Sequence, residues 1–139
     1  MDPTELAALD FCYVTTTGRK SGRPHTIEIW FALAGNVAYL LAGGGQASDW
    51  VRNLREHPTV GVRMGDREML CRARIVDDPV EDGRARELVF EKYSPSNPGL
   101  EGWRDSALPV AIDLPGSEPP QEQPLGTDPS ELPQIGPVD

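Results

Sequence analysis

The sequence predicts an α+β protein that is mainly β, a small barrel or curled antiparallel sheet of about six strands with two helices. Three observations carry that expectation. β-Branched and aromatic runs recur at short spacing, separated by glycine-containing turns. Only two stretches, "ASDWVRNLREHP" and "DPVEDGRARELVFEKY", combine helix-start and helix-stop residues. No glycine-rich dinucleotide fingerprint follows a strand and opens a helix, which excludes a Rossmann-type parallel sheet.

The first strand is "FCYVTTTG", ending at Gly18. "HTIEIWFALAG" reads as one weakly alternating strand that turns at Gly35-Asn36 into "VAYLLAGGG", a hairpin. In "ASDWVRNLREHP" either Ser48 or Asp49 can cap the helix, and His57-Pro58 stops it. "TVGVRMGDREMLCRARIV" is a strand, a Gly65-Asp66 turn and a longer strand. Period two puts Met69, Cys71, Ala73 and Ile75 on one face of that strand, with Arg72 and Arg74 on the other. The second helix begins with Asp78 as cap and Pro79 at its first position, and Glu81 completes a capping box. Val80, Leu88 and Val89 are expected to face the core. "ALPVAIDL" closes the series as a half-buried strand, with Leu108, Val110, Ile112 and Leu114 inward.

At 139 residues, 38% hydrophobic and 25% charged, the chain suits one globular domain, expected over 1–114. Residues 115–139 are rich in Pro, Gly and acid and contain no Lys or Arg. Such a segment buries too little apolar surface to offset its ordering entropy, so a disordered tail or an extended arm is expected. The net charge of −9 belongs mostly to this end. All 13 Lys and Arg lie at or before Arg104, leaving 15 acidic residues against 13 basic ones in 1–104. A body without a broad basic face is a poor partner for nucleic acid. The start "MDPTELAALD" has neither a basic cluster nor a long apolar run, so neither a signal peptide nor a membrane span is expected there. Cys12 and Cys71 read as buried thiols of a cytoplasmic protein. His25 and His57 have no partner at ligand spacing, so no metal site is expected. Neither an acid pair for hydrolysis nor a nucleophile elbow at Ser21 is present.

What remains is a basic turn and a glycine run. Gly18 and Gly22 frame Arg19, Lys20 and Ser21, and Arg23 extends the cluster. Backbone N–H groups of such a turn can converge on an anion, with Arg, Lys and Ser side chains adding donors. The plain alternative is a solvated hairpin loop. Gly43-Gly44-Gly45 precedes the Trp50 helix, and through the expected hairpin it would lie beside His25. Three glycines let a ligand approach the backbone, and the helix start behind them offers N–H groups to negative charge. The alternative is a flexible linker. Trp30 and Trp50 offer flat faces, although core packing is the commoner use of tryptophan.

"YVTTTGRKSGRPH", "YLLAGGG", "DWVRNLREHP" and "GWRDSALPV", in this order, resemble the deazaflavin-dependent nitroreductase family, relatives of the coenzyme F420-dependent quinone reductases. The likeness spans roughly Phe11 to Leu114. It implies a split β-barrel, akin to flavin-binding pyridoxamine-phosphate-oxidase-like proteins. It also implies coenzyme F420, a deazaflavin, as the hydride source, with FMN as the second choice. A quinone, nitro or other conjugated small molecule would be the acceptor.

By the same resemblance Arg19, Lys20 and Ser21 match the turn that binds the cofactor phosphate, and His25 matches another polar contact. Trp30 matches an aromatic position along the cofactor cleft, and Ala42, Gly43 and Gly44 match the segment against the deazaflavin. Trp50 and Asn53 match the Trp and Asn of the following helix. On the substrate side "YSPSNPGLEGW" keeps Tyr93 and Trp103. No catalytic residue is assigned. Family members often carry Ser-Lys where this chain has Gly43-Gly44. A non-enzymatic carrier of a flavin, haem or fatty acid is the competing reading. A homodimer is compatible with either, with Arg72 and Arg74 on the strand face that could meet a second copy.

Overall fold

The computed structural model describes residues 2–115. The expected tail therefore lies outside the described residues, apart from its first position, Pro115, which is exposed. The elements in chain order are α1 (Pro3–Ala7), β1 (Cys12–Thr17), β2 (Pro24–Ile29), β3 (Ala32–Ala34), β4 (Val37–Ala42), α2 (Asp49–Glu56), β5 (Thr59–Met64), β6 (Arg67–Ile75), α3 (Pro79–Tyr93), α4 (Glu101–Ser106) and β7 (Leu108–Asp113). All seven strands form one sheet in the order β2-β1-β5-β6-β7-β4-β3, and every pairing is antiparallel.

The sheet curls because alternate residues of its strands meet in one apolar cluster. Cys12 and Val14, Ala38 and Leu40, Val60 and Val62, Cys71 and Ala73, and Val110 and Ile112 all bury there, with Phe31 and Met64. Helix α2 adds Val51 and Leu54 to the same cluster. A second cluster lies between α3 and the opposite face of β3, β4 and β7. It contains Ala85, Val89 and Tyr93 with Ala32, Tyr39, Leu41 and Ala111. The α+β, mainly β split barrel is thus present. Cys12 and Cys71 are free, buried thiols, as expected, and burial pushes both up to about 12.

Five sequence expectations about the fold need correction. "HTIEIWFALAG" is two strands, not one. β2 pairs with β1, with His25 opposite Thr16, while β3 pairs with β4 over only three residues. The break at Trp30 and Phe31 sends the chain from one edge of the sheet to the other. Interactions distant in sequence hold this break. The Tyr93 hydroxyl accepts from Phe31 N–H at 3.0 Å and faces the carbonyls of Asp10 (2.6 Å) and Phe31 (3.0 Å). Lys92 Nζ donates to Leu9 O (2.6 Å) and Phe31 O (2.9 Å). Both groups are only partly solvated, and burial lowers the Lys92 pKa while pushing that of Tyr93 up to about 12.

The Asp78 carboxylate does cap Glu81 N–H at 2.9 Å. The Glu81 side chain does not return to complete a capping box. It instead takes both guanidinium nitrogens of Arg74 (2.8 and 2.9 Å) and the Tyr39 hydroxyl (2.7 Å). Val80 is 80% exposed rather than facing the core, whereas Leu88 and Val89 do pack as expected. β7 is buried on both faces, since α3 covers the side that the sequence left to solvent. Two short helices, α1 and α4, add to the expected pair; α1 has a capping box of its own between Asp2 and Glu5.

Candidate functional site

The β1–β2 connection is a tight turn that satisfies its own backbone. Gly18 N–H bonds Arg23 O and Gly22 N–H bonds Gly18 O, both at 2.8 Å, and Arg23 N–H bonds Ser21 Oγ at 3.1 Å. Gly22 needs its glycine for φ +75°. A Cβ at Gly18 would stand 2.8 Å from both His25 Nε2 and Ser21 Oγ, so those two exposed side chains would have to shift to admit it. These internal bonds use part of the backbone that was expected to close around an anion. Its N–H groups at Gly18, Arg19, Gly22 and Arg23 are already used. The N–H groups of Lys20 and Ser21 have no partner among the described residues, so these and the side chains are the donors left to an anion.

Helix α2 fixes the turn from below. Asn53, one turn after Asp49, is 4% exposed. Its Oδ1 accepts from Arg19 N–H (3.1 Å) and from the Arg19 guanidinium (2.9 Å), while its Nδ2 donates to buried Thr16 Oγ1 (3.2 Å). The guanidinium also reaches Asp49 Oδ1 at 3.3 Å. Both sequence candidates, Arg19 and Asn53, therefore spend much of their hydrogen-bonding capacity on each other. The Lys20 and His25 side chains are exposed, and neither makes a side-chain hydrogen bond or ion pair among the described residues.

Between the turn, β2 and α2 lies an open cleft of about 730 Å³. Residues 18–21 and 24–27, Thr16, and Asp49, Trp50 and Asn53 line it. Six candidates from the sequence thus meet: Arg19, Lys20, Ser21, His25, Trp50 and Asn53. Four of the other candidates, Trp30, Gly43, Tyr93 and Trp103, form a separate group. Trp30 stacks on Tyr93 with centroids 4.2 Å apart and planes 2° from parallel, and Trp103 meets Trp30 edge-on at 5.8 Å. Gly43 borders Trp103, whose Nε1 would lie 3.6 Å from a Cβ added there. Gly44 is exposed and faces Ser48. Ala42 is 2% exposed and points into the barrel core. The expected meeting of the glycine run with His25 through one hairpin does not occur, since His25 is paired with β1. Tyr93 is buried beneath Trp30, with its hydroxyl turned inward.

Sequence reasoning missed three groups. Thr16 reaches the cleft because it alternates inward on β1, a pattern hidden in a run of three threonines. Of the two expected caps of α2, Ser48 holds the position, without a side-chain cap bond, and Asp49 is the first helical residue, where it reaches Arg19. Arg86 donates to the carbonyls of Arg104 (2.6 Å) and Ala107 (2.7 Å), closing the end of α4 and fixing the helix that carries Trp103. Among the described residues no His, Cys, Asp and Glu cluster could hold a metal ion, and no helix is long and apolar enough to cross a membrane.

The comparisons agree with this architecture. The fold is similar to that of a conserved hypothetical protein from Mycobacterium tuberculosis, 23% identical, with 83% of this chain and 81% of that chain covered at a TM-score of 0.64. It is also similar to an F420-H2 dependent reductase, 24% identical, with 75% and 93% covered at a TM-score of 0.61. A third structure, a domain-swapped dimer, is 25% identical over 75% of this chain and 79% of that one, with a TM-score of 0.62. The model of the F420H(2)-dependent quinone reductase family matches residues 3–115, nearly all of the described fold, and the chain belongs to that family.

Proposed function

We propose that the protein transfers hydride from reduced coenzyme F420 to a quinone, nitro compound or other conjugated small molecule. The observation that carries this reading is the convergence in one cleft of a cationic turn, β2 and the Trp50 face of α2. The residues present fit the coenzyme. Lys20, Ser21 and His25 offer donors toward a phosphate, and Trp50 and Ile27 offer apolar surface to a planar ring. A cleft of about 730 Å³ is also of the size that small-molecule cofactors occupy. When bound in its reduced form, the deazaflavin supplies the hydride.

The work of the chain is then orientation and exclusion of water. Asn53 holds Arg19 and Thr16, and so fixes the turn that presents Lys20 and Ser21. Trp30, stiffened from behind by Tyr93, and Trp103, held by α4, form an aromatic corner suited to a flat acceptor. No residue of the cleft is assigned as a proton donor. A cytoplasmic setting and a homodimer belong to the same proposal. The first is supported by the free thiols, the second by the domain-swapped dimer among the similar folds. Arg74 is engaged within its own chain by Glu81 and Asp113, which leaves Arg72 of the expected pair for such a contact.

The test mixes purified protein with reduced coenzyme F420 and either a soluble quinone or a nitroaromatic. Protein-dependent reoxidation that saturates with acceptor is expected. Tight binding without turnover on any acceptor would favour the carrier reading, and no binding of the coenzyme would remove the reductase reading while leaving a carrier of haem or fatty acid.

A further inference from the structure

The outer face of β1, β5 and β6 belongs to neither apolar cluster. Helix α3 packs on the outer side of β3, β4 and β7, and α2 buries Val51 and Leu54 inside the barrel. A solvated face is ordinary for an antiparallel sheet, but the centre of this one is apolar. The pairings of β5 put Thr15, Gly61 and Leu70 in one row across the strands. Leu70 is 43% exposed, and Gly61 leaves the row flat beside it. Two residues to either side of Leu70, on the same face of β6, stand Glu68 and Arg72, both exposed. Neither makes a side-chain hydrogen bond or ion pair among the described residues. Their cross-strand neighbours are engaged elsewhere. Arg63, opposite Glu68, lies 4.2 Å over the Tyr13 ring. Asp113, opposite Arg72, is held by Arg74 at 2.9 Å.

We propose that this face is the contact between two copies of the chain, related by a two-fold axis along the row of Thr15, Gly61 and Leu70. The inference deepens the homodimer of the proposed function and rests on it, independently of the coenzyme. A two-fold contact must be complementary to itself, and the order Glu68, Leu70, Arg72 has that property. Rotation about the row sets Leu70 against the partner subunit's Leu70. It carries Glu68 to the partner's Arg72, and Arg72 to the partner's Glu68. Both charges and the exposed leucine are then matched at once. The chain's own residues 115–139 would do less on this face. They contain no Lys or Arg, so they could answer Arg72 but not Glu68.

Sedimentation velocity of the full chain over a range of concentrations reads the dimer dissociation constant, with unfolding midpoints alongside. The wild type should dimerise. Glu68→Arg and Arg72→Glu each set like charges against each other twice per dimer, and each should weaken association about ten- to a hundredfold without loss of stability. Leu70→Lys should weaken it on the same scale. Mixing the Glu68→Arg and Arg72→Glu proteins should restore a dimer, now a heterodimer, because each supplies the charge that the other lost. The double variant, Glu68→Arg with Arg72→Glu, should again self-associate. Single variants that dimerise as the wild type does, or a mixture that stays monomeric, overturn this surface while leaving a homodimer through another face. A wild type that is monomeric throughout overturns the homodimer and this inference together. Slow hydrogen exchange around Leu70 in such a monomer would assign the face to residues 116–139 instead.

Discussion

Asn53 Oδ1 accepts two hydrogen bonds from Arg19, one from its backbone N–H at 3.1 Å and one from its guanidinium at 2.9 Å. A single buried carboxamide therefore sets the position of the turn and the direction of its first cation. Arg19 and Lys20 are neighbours in sequence but differ in what they support. Lys20→Ala should leave stability within about 0.5 kcal/mol and weaken coenzyme binding about ten- to a hundredfold. Arg19→Ala should weaken binding and also lower stability, because it strips Asn53 of a partner. Asn53→Ala should cost about 2–3 kcal/mol, as it leaves buried groups unpaired. Urea unfolding together with a coenzyme titration separates these outcomes. Full affinity in Lys20→Ala would sink the phosphate-turn reading.

Gly43 tests whether the glycine run is a binding surface or a linker. A Cβ there would meet Trp103 at 3.6–3.7 Å, ordinary contact, and Gly43 is not among the glycines with positive φ. Gly43→Ala should therefore fold normally. If the coenzyme packs against this backbone, the added methyl should lower its affinity about five- to fiftyfold. Unaltered affinity in a titration would assign the run to chain connection alone.

The cluster of Glu81, Arg74 and Tyr39 makes a prediction about acid stability. Arg74, and then the Tyr39 hydroxyl, hold the Glu81 carboxyl down to about 2 from an ordinary 4.5. A carboxylate with a depressed native pKa contributes stability that is present above the unfolded value and lost as pH falls toward the native one. The wild type should thus lose stability between about pH 4.5 and 2. Glu81→Gln should lose about 1–2 kcal/mol less over that window, allowing for solvent screening at its partly exposed pair. Parallel curves of unfolding free energy against pH for the two proteins would refute this.

The parts of the fold that were legible in the sequence are those written in local chemistry. The turn at Gly35 and Asn36, the Asp78 cap with Pro79, and the alternation of Met69, Cys71, Ala73 and Ile75 each depend on a few adjacent residues. The break between β2 and β3 was not legible, because "IEIWFAL" has neither Gly nor Pro and every residue in it suits a strand. Tyr93 and Lys92 impose the break from about sixty residues away, through bonds that no periodicity reveals. The same distinction holds at the site. The basic turn and the Trp50–Asn53 helix were visible, but whether an arginine there points at a ligand or at an asparagine depends on tertiary packing. Family resemblance supplied the cofactor; residue patterns alone reached only an anion.

A split barrel keeps its mouth open by leaving two strand edges unjoined, and here these are β2 and the three-residue β3. Unjoined edges invite a neighbouring chain to extend the sheet, which is the first step of edge-to-edge aggregation. β3 is too short to serve as a template. β2 is six residues long, but it opens with Pro24, which has no N–H to donate, and carries the charge of Glu28 within it. Access for a ligand and resistance to self-association thus fall on the same strand. Its composition gives it little freedom to become a smoother, more apolar one.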